Sequence, residues 1–429
     1  MLLSDIIEQG LCLGCGTCAG VCPTSAISMR MSEGLFLPEI DQKKCNGCQF
    51  CVSSCPGYSM DFKALRSKIF GEEPKSSAIG NYIQCYVGHS TNDKIRYDST
   101  SGGLITQLLI FALEHNLVDG AVVTRMRHKN PLEPESFIAR TADEIIEASK
   151  SKYCPVATNA CLKQILKEQG RFAVVGLPCH IHGIRKAETL FKVLNKRIVL
   201  RLGLLCSHTV DFAGISFLVK KLNLQENEVK KIAYRGGGWP GGMSIETNSA
   251  SKIELPLVGD WHAYWSLFSS FFFTPMRCTF CPDQAAELAD ISFGDAWLPE
   301  LKNDKKGSSI IVSRTKEGEN LLSEALAAKA ISIKSVTIDK VKQSQFGNLK
   351  FKKDDLPDRL YTAGLMGRET PIFNPVPSPT NSLASALRNF YIYFNIKASS
   401  NAQFKAFLLN TPFPLIRLYY GIYKALSKI

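Results

Sequence analysis

The chain has 429 residues, 45% of them hydrophobic and 21% charged, with a formal charge of +12. That is ordinary globular usage, long enough for two or three domains with a substantial core, and it excludes a disordered or fibrous protein. No run approaches the roughly 18 apolar residues of a membrane-spanning helix, the richest stretch, Trp265 to Phe273, being too short. The opening MLLSDIIEQG contains acidic residues and neither a basic nor a long apolar segment, so no signal peptide is expected ahead of Cys12.

Two copies of one cysteine spacing come first: Cys12, Cys15, Cys18 and Cys22 before Pro23, then Cys45, Cys48, Cys51 and Cys55 before Pro56. A C-x2-C-x2-C-x3-C-P run gives three thiolates to one iron-sulfur cube and the fourth to its neighbour, so two runs interlock into a two-cluster ferredoxin. Cys12, Cys15, Cys18 and Cys55 are expected to hold one 4Fe-4S cluster, and Cys22, Cys45, Cys48 and Cys51 the other. Small residues such as Gly14, Gly16, Thr17 and Gly47 let consecutive sulfurs and backbone N–H groups converge on an anionic cluster. Zinc sites pair two C-x2–4-C knuckles and disulfide frameworks suit small secreted domains, so both alternatives fit the spacing less well. Cluster thiolates need a reducing compartment, which makes the cytoplasm the expected location. Each oxidised cube with its thiolates carries about −2, so the loaded protein is expected to be much less basic than its sequence.

Residues 1–62 form this ferredoxin module, and the charged, Ser-rich stretch from Lys63 to Gly80 reads as its connector. From Tyr82 to about residue 345 apolar runs alternate with helical patterns. Val118 to Thr124, Phe172 to Val175, Ile198 to Leu205, Asp290 to Phe293 and Ser309 to Ser313 look like buried strands. Leu104 to Asn116, Ala142 to Ser149 with a Thr141-x-x-Glu144 capping box, Phe212 to Leu222 and Glu317 to Ala328 look like helices. The expected fold is therefore α/β: a bacterial-type ferredoxin (α+β) domain fused to a mixed α/β body.

Within the body, Asp98-Ser99-Thr100-Ser101-Gly102-Gly103 opens into an apolar helix. Free N–H groups there would suit an anion, although a plain N-cap reads the same way. Cys179 follows a strand, Cys206 ends another, and Cys278 with Cys281 forms a C-x2-C knuckle. Strand ends of an α/β sheet converge on one crevice, so these four suggest a third cluster, with zinc as the competing occupant. His180 is the catalytic candidate, since it and His182 follow Cys179 and could donate a proton near a redox centre. Cys85, Cys154 and Cys161 match no spacing rule and are expected to be buried, inert thiols, with Cys154 and Cys161 able to share a helical face.

Residues 370–382 carry four prolines and read as an extended linker. The last segment, 370–429, contains Arg388, Lys397, Lys405, Arg417, Lys424 and Lys428 and no Asp or Glu, with aromatics interleaved. It is expected to be a semi-independent helical tail, either lying on an anionic membrane or partner or packing back onto the body.

From about Tyr82 to residue 345 the ordered set Ser99-Thr100-Ser101-Gly102-Gly103, Ser151-Lys152-Tyr153, Gly176-Leu177-Pro178-Cys179, Cys206, Arg235-Gly236, Gly238-Trp239-Pro240, Cys278-x-x-Cys281-x-Asp283 and Ala289-Asp290-Ile291-x-x-Gly294-Asp295 resembles the beta subunits of coenzyme F-420-reducing hydrogenases and their dehydrogenase relatives. The resemblance implies an N-terminal part over 80–165, a C-terminal part over 166–345, a bound flavin, usually FAD, and an inner 4Fe-4S cluster. It implies that Cys179, Cys206, Cys278 and Cys281 ligate that cluster, that Ser99, Thr100, Ser101, Gly102, Gly103, Lys152 and Tyr153 line the flavin, and that Asp283, Asp290 and Asp295 support the site. Gly237 departs from the family, standing where relatives often have Lys, which weakens a carry-over of deazaflavin binding.

The expected activity is an iron-sulfur flavoprotein oxidoreductase passing electrons between a ferredoxin-type carrier or partner oxidoreductase subunit and a hydride-accepting substrate, with the flavin converting single electrons into a hydride. The same chemistry on a polysaccharide-pathway or pigment intermediate, or a non-enzymatic relay subunit, are the alternatives. Nucleic-acid binding is not expected, because the basic residues accompany neither a known binding fold nor a patterned groove.

Overall fold

The computed structural model describes residues 1–257, 263–380 and 382–426; Lys428 and the side chain of Lys424 lie outside the described residues. An eight-stranded sheet organises the body. Four central strands run parallel, Ile291–Asp295, Ile198–Leu204, Phe172–Gly176 and Gly120–Met126 in that spatial order. Antiparallel strands extend it: Ser309–Ser313, Gln84–Ser90 and Ile331–Val336 on one side, Pro134–Ala139 on the other. The central strands are apolar runs because both faces are covered. Ala173, Leu200, Leu202 and Phe293 pack against Leu108, Leu109 and Phe111 of helix Leu104–Glu114. Val174, Phe172 and Ile198 pack on the opposite face against Ile181 and Ile184 of helix Pro178–Leu190.

Register aligns the carboxyl ends of the parallel strands: Gly176 pairs with Gly203 and Phe293 with Leu204. Beside this sheet an antiparallel one, Val229–Ala233, Gly242–Thr247 and Lys252–Pro256, closes over a second core that includes Phe217, Leu218, Tyr264 and Phe272. The strands and helices expected in the body occur with ends within two residues, and the Thr141–Glu144 capping box forms.

Three expectations need correction. The connector contains a helix, Phe62–Phe70, started by Asp61, whose Oδ1 accepts from Ala64 N–H at 2.9 Å. Lys63 and Lys68 lie outward and disguise the inward Phe62 and Leu65, while Arg66 turns in to pair with buried Glu287. Within 370–382, Ile372–Asn374 forms a strand that pairs in parallel with Ser59–Asp61 of the ferredoxin module. Cys154 lies in a loop ahead of the short turn Thr158–Cys161, so it shares no helix with Cys161. Cys85 and Cys154 are buried, and Cys161 is half-buried.

The tail, helices Leu383–Ser400, Ala402–Asn410 and Phe413–Leu426, packs back rather than standing apart. Tyr391, Ile392 and Tyr393 share a core with Leu3, Ile6, Leu11, Phe271 and Phe280. Tyr393 Oη donates to Arg359 O at 2.6 Å, Asn395 Nδ2 to Ser270 O at 2.8 Å, and Ser399 Oγ accepts from Phe273 N–H at 2.9 Å.

Candidate redox sites

The twelve cysteines singled out from the sequence fall into neighbouring groups. Cys12, Cys15, Cys18 and Cys55 line one cavity of about 20 Å³ with Leu3, Ile6, Met29 and Pro38. Burial pushes the Cys12 thiol up to about 12 and Cys15 up to about 11, and each is raised further by its neighbours, Cys15 and Cys55 beside Cys12, Cys55 beside Cys15. Cys51 is raised by burial and by Cys48 and Cys22, while Cys45 and Cys48 are exposed on the loop 41–49. Cys22 is held low despite partial burial, because the Thr24 hydroxyl and the N–H groups of Ala26, Thr24 and Ile27 face its sulfur.

Cys179, in the first turn of helix Pro178–Leu190, is pushed far up by burial and then by Cys15, Cys206, Cys281 and Cys278. The body's four cysteines are thus mutual neighbours, and Cys15 of the ferredoxin module joins them. Sulfurs that raise one another ionise only with positive charge nearby. Three cations stand there: Lys186 donates to Cys55 O and Ser59 O at 2.7 Å, Arg277 to Gly57 O at 2.9 Å, and Lys352 to Cys278 O at 2.9 Å. Arg277 and Lys352 are buried, and among the described residues none of the three has a carboxylate within the 4.0 Å of an ion pair. No group of three or more His, Cys, Asp or Glu side chains among the described residues closes on a single metal ion.

At the carboxyl ends of the parallel strands lies a cavity of about 440 Å³, lined by Thr124, Gly176, Leu177, Cys206, Gly294 and Asp295 from those ends, the usual ligand position in an open α/β sheet. Ser99, Thr100, Ser101, Gly103, Lys152 and Tyr153 also line it. Gly102 is instead wedged against the sheet, where a Cβ would stand 2.6 Å from Gly88 O, and its N–H donates to Ser309 Oγ at 3.0 Å. Thr100 Oγ1 accepts from Ser151 N–H at 2.8 Å and so joins the two lining loops. Lys152 directs its ammonium to the carbonyls of Ala148, Ser149 and Lys150 at 2.6, 2.7 and 2.9 Å, closing the end of helix Ala142–Glu147, and burial pulls it down to about 7.

Arg235 ties the walls together. It pairs with Asp295 at 2.6 Å and donates to Thr100 O at 3.1 Å, Pro240 O at 3.0 Å and Tyr153 Oη at 3.3 Å. Burial opposes its charge, but Asp295 and Tyr153 outweigh that and raise it. The catalytic candidate His180 needs correction: Nδ1 accepts from Leu177 N–H at 3.1 Å and Nε2 donates to Val156 O at 3.0 Å, so neither nitrogen is left for a substrate. Burial also drops it to about 4, keeping it neutral. His182 donates to Asp283 at 2.8 Å, and Asp290 joins Arg185, Arg201 and Glu188 in a buried network of ion pairs at 2.6–3.3 Å.

Sequence reasoning missed His208, Trp265 and Gln284 in the lining. His208 Nε2 donates to Phe268 O at 2.9 Å and its ring stacks on Phe268 at 4.0 Å. Buried His208 Nδ1, Trp265 Nε1, Gln284 Oε1 and Arg235 Nε have no hydrogen-bond partner among the described residues. Each such group costs about 1–3 kcal/mol if left unpaired, so the cavity offers groups that a polar ligand could pair. No spacing rule announces them; only packing brings them to one cavity.

The family described as Coenzyme F420 hydrogenase/dehydrogenase, beta subunit, matches in both parts, its C terminus over residues 169–339 and its N-terminal part over 85–163, and a 4Fe-4S dicluster domain matches residues 11–59. Coenzyme F420 hydrogenase subunit beta of Methanothermobacter thermautotrophicus is 29% identical over 265 residues, 60% of this chain and 86% of its own. Coenzyme F420-dependent sulfite reductase of Methanocaldococcus jannaschii is 25% identical over 371 residues, covering 82% of this chain and 51% of that protein. A chain of the F420-reducing NiFe hydrogenase complex from Methanosarcina barkeri shares the fold, with a TM-score of 0.55 at 24% identity over 70% of this chain and 99% of that one. Dicluster module and body together define an iron-sulfur oxidoreductase. Within that class, the chain belongs to the coenzyme F420 hydrogenase/dehydrogenase beta subunit family.

Proposed function

We propose that the chain passes electrons between a ferredoxin-type carrier, or a partner oxidoreductase subunit, and a hydride-accepting substrate in the 440 Å³ cavity. The observation that carries this reading is the series of thiols. It runs from exposed Cys45 and Cys48 through Cys51 and Cys22 to the group around Cys15, then from Cys15 to Cys179, and ends at Cys206 in the cavity wall.

The donor set fits iron-sulfur cubes, because twelve thiols fall into neighbouring groups and the buried cations Arg277 and Lys352 stand at the inner one. Cys12, Cys15, Cys18 and Cys55 would hold one, Cys22, Cys45, Cys48 and Cys51 the second, and Cys179, Cys206, Cys278 and Cys281 the third. The cavity fits a flavin such as FAD: its volume lies in the range of about 300–1,000 Å³ usual for cofactor sites, Tyr153, Trp265 and Phe268 offer aromatic surface, and four unpaired polar atoms await partners. Bound there, the cubes supply single electrons at low potential and the flavin supplies hydride transfer. Arg235 and Asp295 hold the walls at fixed separation, and Lys186, Arg277 and Lys352 balance cluster charge.

Lys150 lines the cavity and lies against Gly236, whose Cβ would stand 3.2 Å from its Nζ, and no carboxylate lies within 4 Å of it among the described residues. That cation suits an acceptor carrying phosphate or carboxylate. Coenzyme F420, named for the relatives, is one such acceptor, and an anionic polysaccharide-pathway or pigment intermediate would meet the same charge.

Anaerobically purified protein is expected to contain about twelve iron atoms and one flavin per chain. Cys206→Ala is expected to lose about four iron atoms and to stop reduced ferredoxin from bleaching the flavin, while the other iron is retained and still reduced. Zinc in place of iron, or a protein without flavin, would end this reading; bleaching without turnover of any small acceptor would favour a relay subunit.

A further inference from the structure

The tail helices turn one face to the core and leave another that nothing above uses. On Leu383–Ser400 the side chains opposite the buried Ile392 are Leu383, Leu387, Phe390 and Phe394, spaced by four, three and four residues into a single stripe that is 49–76% exposed. The stripe continues onto helix Ala402–Asn410, since Phe394 meets Phe404 edge-on at 6.4 Å and Phe404 lies 6.0 Å from the exposed Phe407. On Phe413–Leu426, Leu415, Leu418 and Ile422 are exposed while Ile416 is buried. Single exposed apolar residues are normal, but a run continuous over two helices marks a surface that is covered in use.

Charge indicates what covers it. The last acidic residue of the chain is Glu369. Exposed Lys397 follows the first stripe by one turn and exposed Arg417 adjoins Leu418; Lys405 is half-buried and faces Asp211 from within. Interfacial helices sink Phe and Leu among lipid tails while Lys and Arg remain with anionic headgroups. A second copy of the chain suits this face poorly, because a two-fold contact sets the same cations against themselves. No helix among the described residues is long and apolar enough to cross a membrane, so the contact would be with its surface.

We propose that the outer face of the three C-terminal helices docks the protein on an anionic lipid bilayer. Removing the tail does not test this, because its inner face is core. The test uses full-length, iron-loaded protein sedimented with vesicles of phosphatidylcholine alone or mixed with phosphatidylglycerol. Wild type is expected to follow the mixed vesicles at low salt and to leave them at high salt. Phe390→Glu with Phe394→Glu, and separately Lys397→Glu with Arg417→Glu, are expected to weaken binding at least twenty-fold, from about five-fold per basic residue, with iron content and reduction by dithionite unchanged. Wild type that stays in the supernatant, charge variants that bind as well as it does, or a wild-type dimer that the phenylalanine variants split into monomers would each overturn the proposal.

Discussion

Arg277 sits where the ferredoxin module meets the body: its charge is felt by Cys281, Cys278, Cys55 and Cys179, and burial pulls its own pKa down. A pair interaction of about 1–2 kcal/mol at the effective dielectric of a protein interior corresponds to on the order of 50–100 mV for one electron. Arg277→Met is therefore expected to lower the midpoint potentials of the clusters on either side by that amount, read in a spectroscopic redox titration at unchanged iron content. Asp211 offers a pH signature. Burial pushes its carboxyl up to about 7, although it caps helix Phe212–Lys221 by accepting from Gly214 N–H at 3.0 Å. A raised carboxyl contributes stability that is complete below the ordinary carboxylate value and lost as pH rises through about 7. Asp211→Asn keeps a good cap and is expected to flatten the fall in melting temperature between pH 5 and 8; an unchanged slope would show that the carboxyl ionises freely. At this scale the eight cysteines of the module were legible because the repeated C-x2-C-x2-C-x3-C-P spacing is local, and a 4Fe-4S dicluster domain matches over residues 11–59. His180 was not, because adjacency to Cys179 says nothing about the backbone groups that engage both its nitrogens.

Between elements, the ferredoxin helix Thr17–Val21 lies flush on the body. A Cβ on Gly20 would stand 2.0 Å from Asn159 O, and one on Gly183 would stand 2.1 Å from Thr17 Oγ1. Asn159 fills the joint, its N–H donating to Cys15 O at 2.9 Å and its amide to Thr17 Oγ1 and His180 O at 2.8 Å. Gly183→Val is expected to cost about 1–3 kcal/mol through overpacking and to part Cys15 from Cys179. Stopped-flow mixing with dithionite-reduced ferredoxin should then show normal bleaching of the module's iron but slowed reduction of whatever occupies the body. Equal rates would mean that the joint does not set the path. Amphipathic period and capping made the body's helices readable. Helix Phe62–Phe70 escaped because its charged residues, Lys63, Arg66 and Lys68, outnumber its two buried anchors, and strand Ile372–Asn374 escaped because prolines surround it and its partner lies more than 300 residues earlier.

Over the whole molecule, core packing joins first and last segments: Leu3, Ile6 and Leu11 share a cluster with Tyr391 to Tyr393, and Lys221 donates to the carbonyls of Leu408 at 3.4 Å and Thr411 at 2.6 Å, holding the tail down. The sequence by itself determined the dicluster module, the alternation of strand and helix, the family and the basic bias of the tail, because each depends on local spacing or composition. Tertiary structure alone decided that Cys15 approaches Cys179, that Arg235 and Asp295 clasp the cavity, and that the tail has a packed face and an open one. Those relations depend on which distant residues meet when strand ends align and apolar faces close, and no short-range pattern in a chain encodes that.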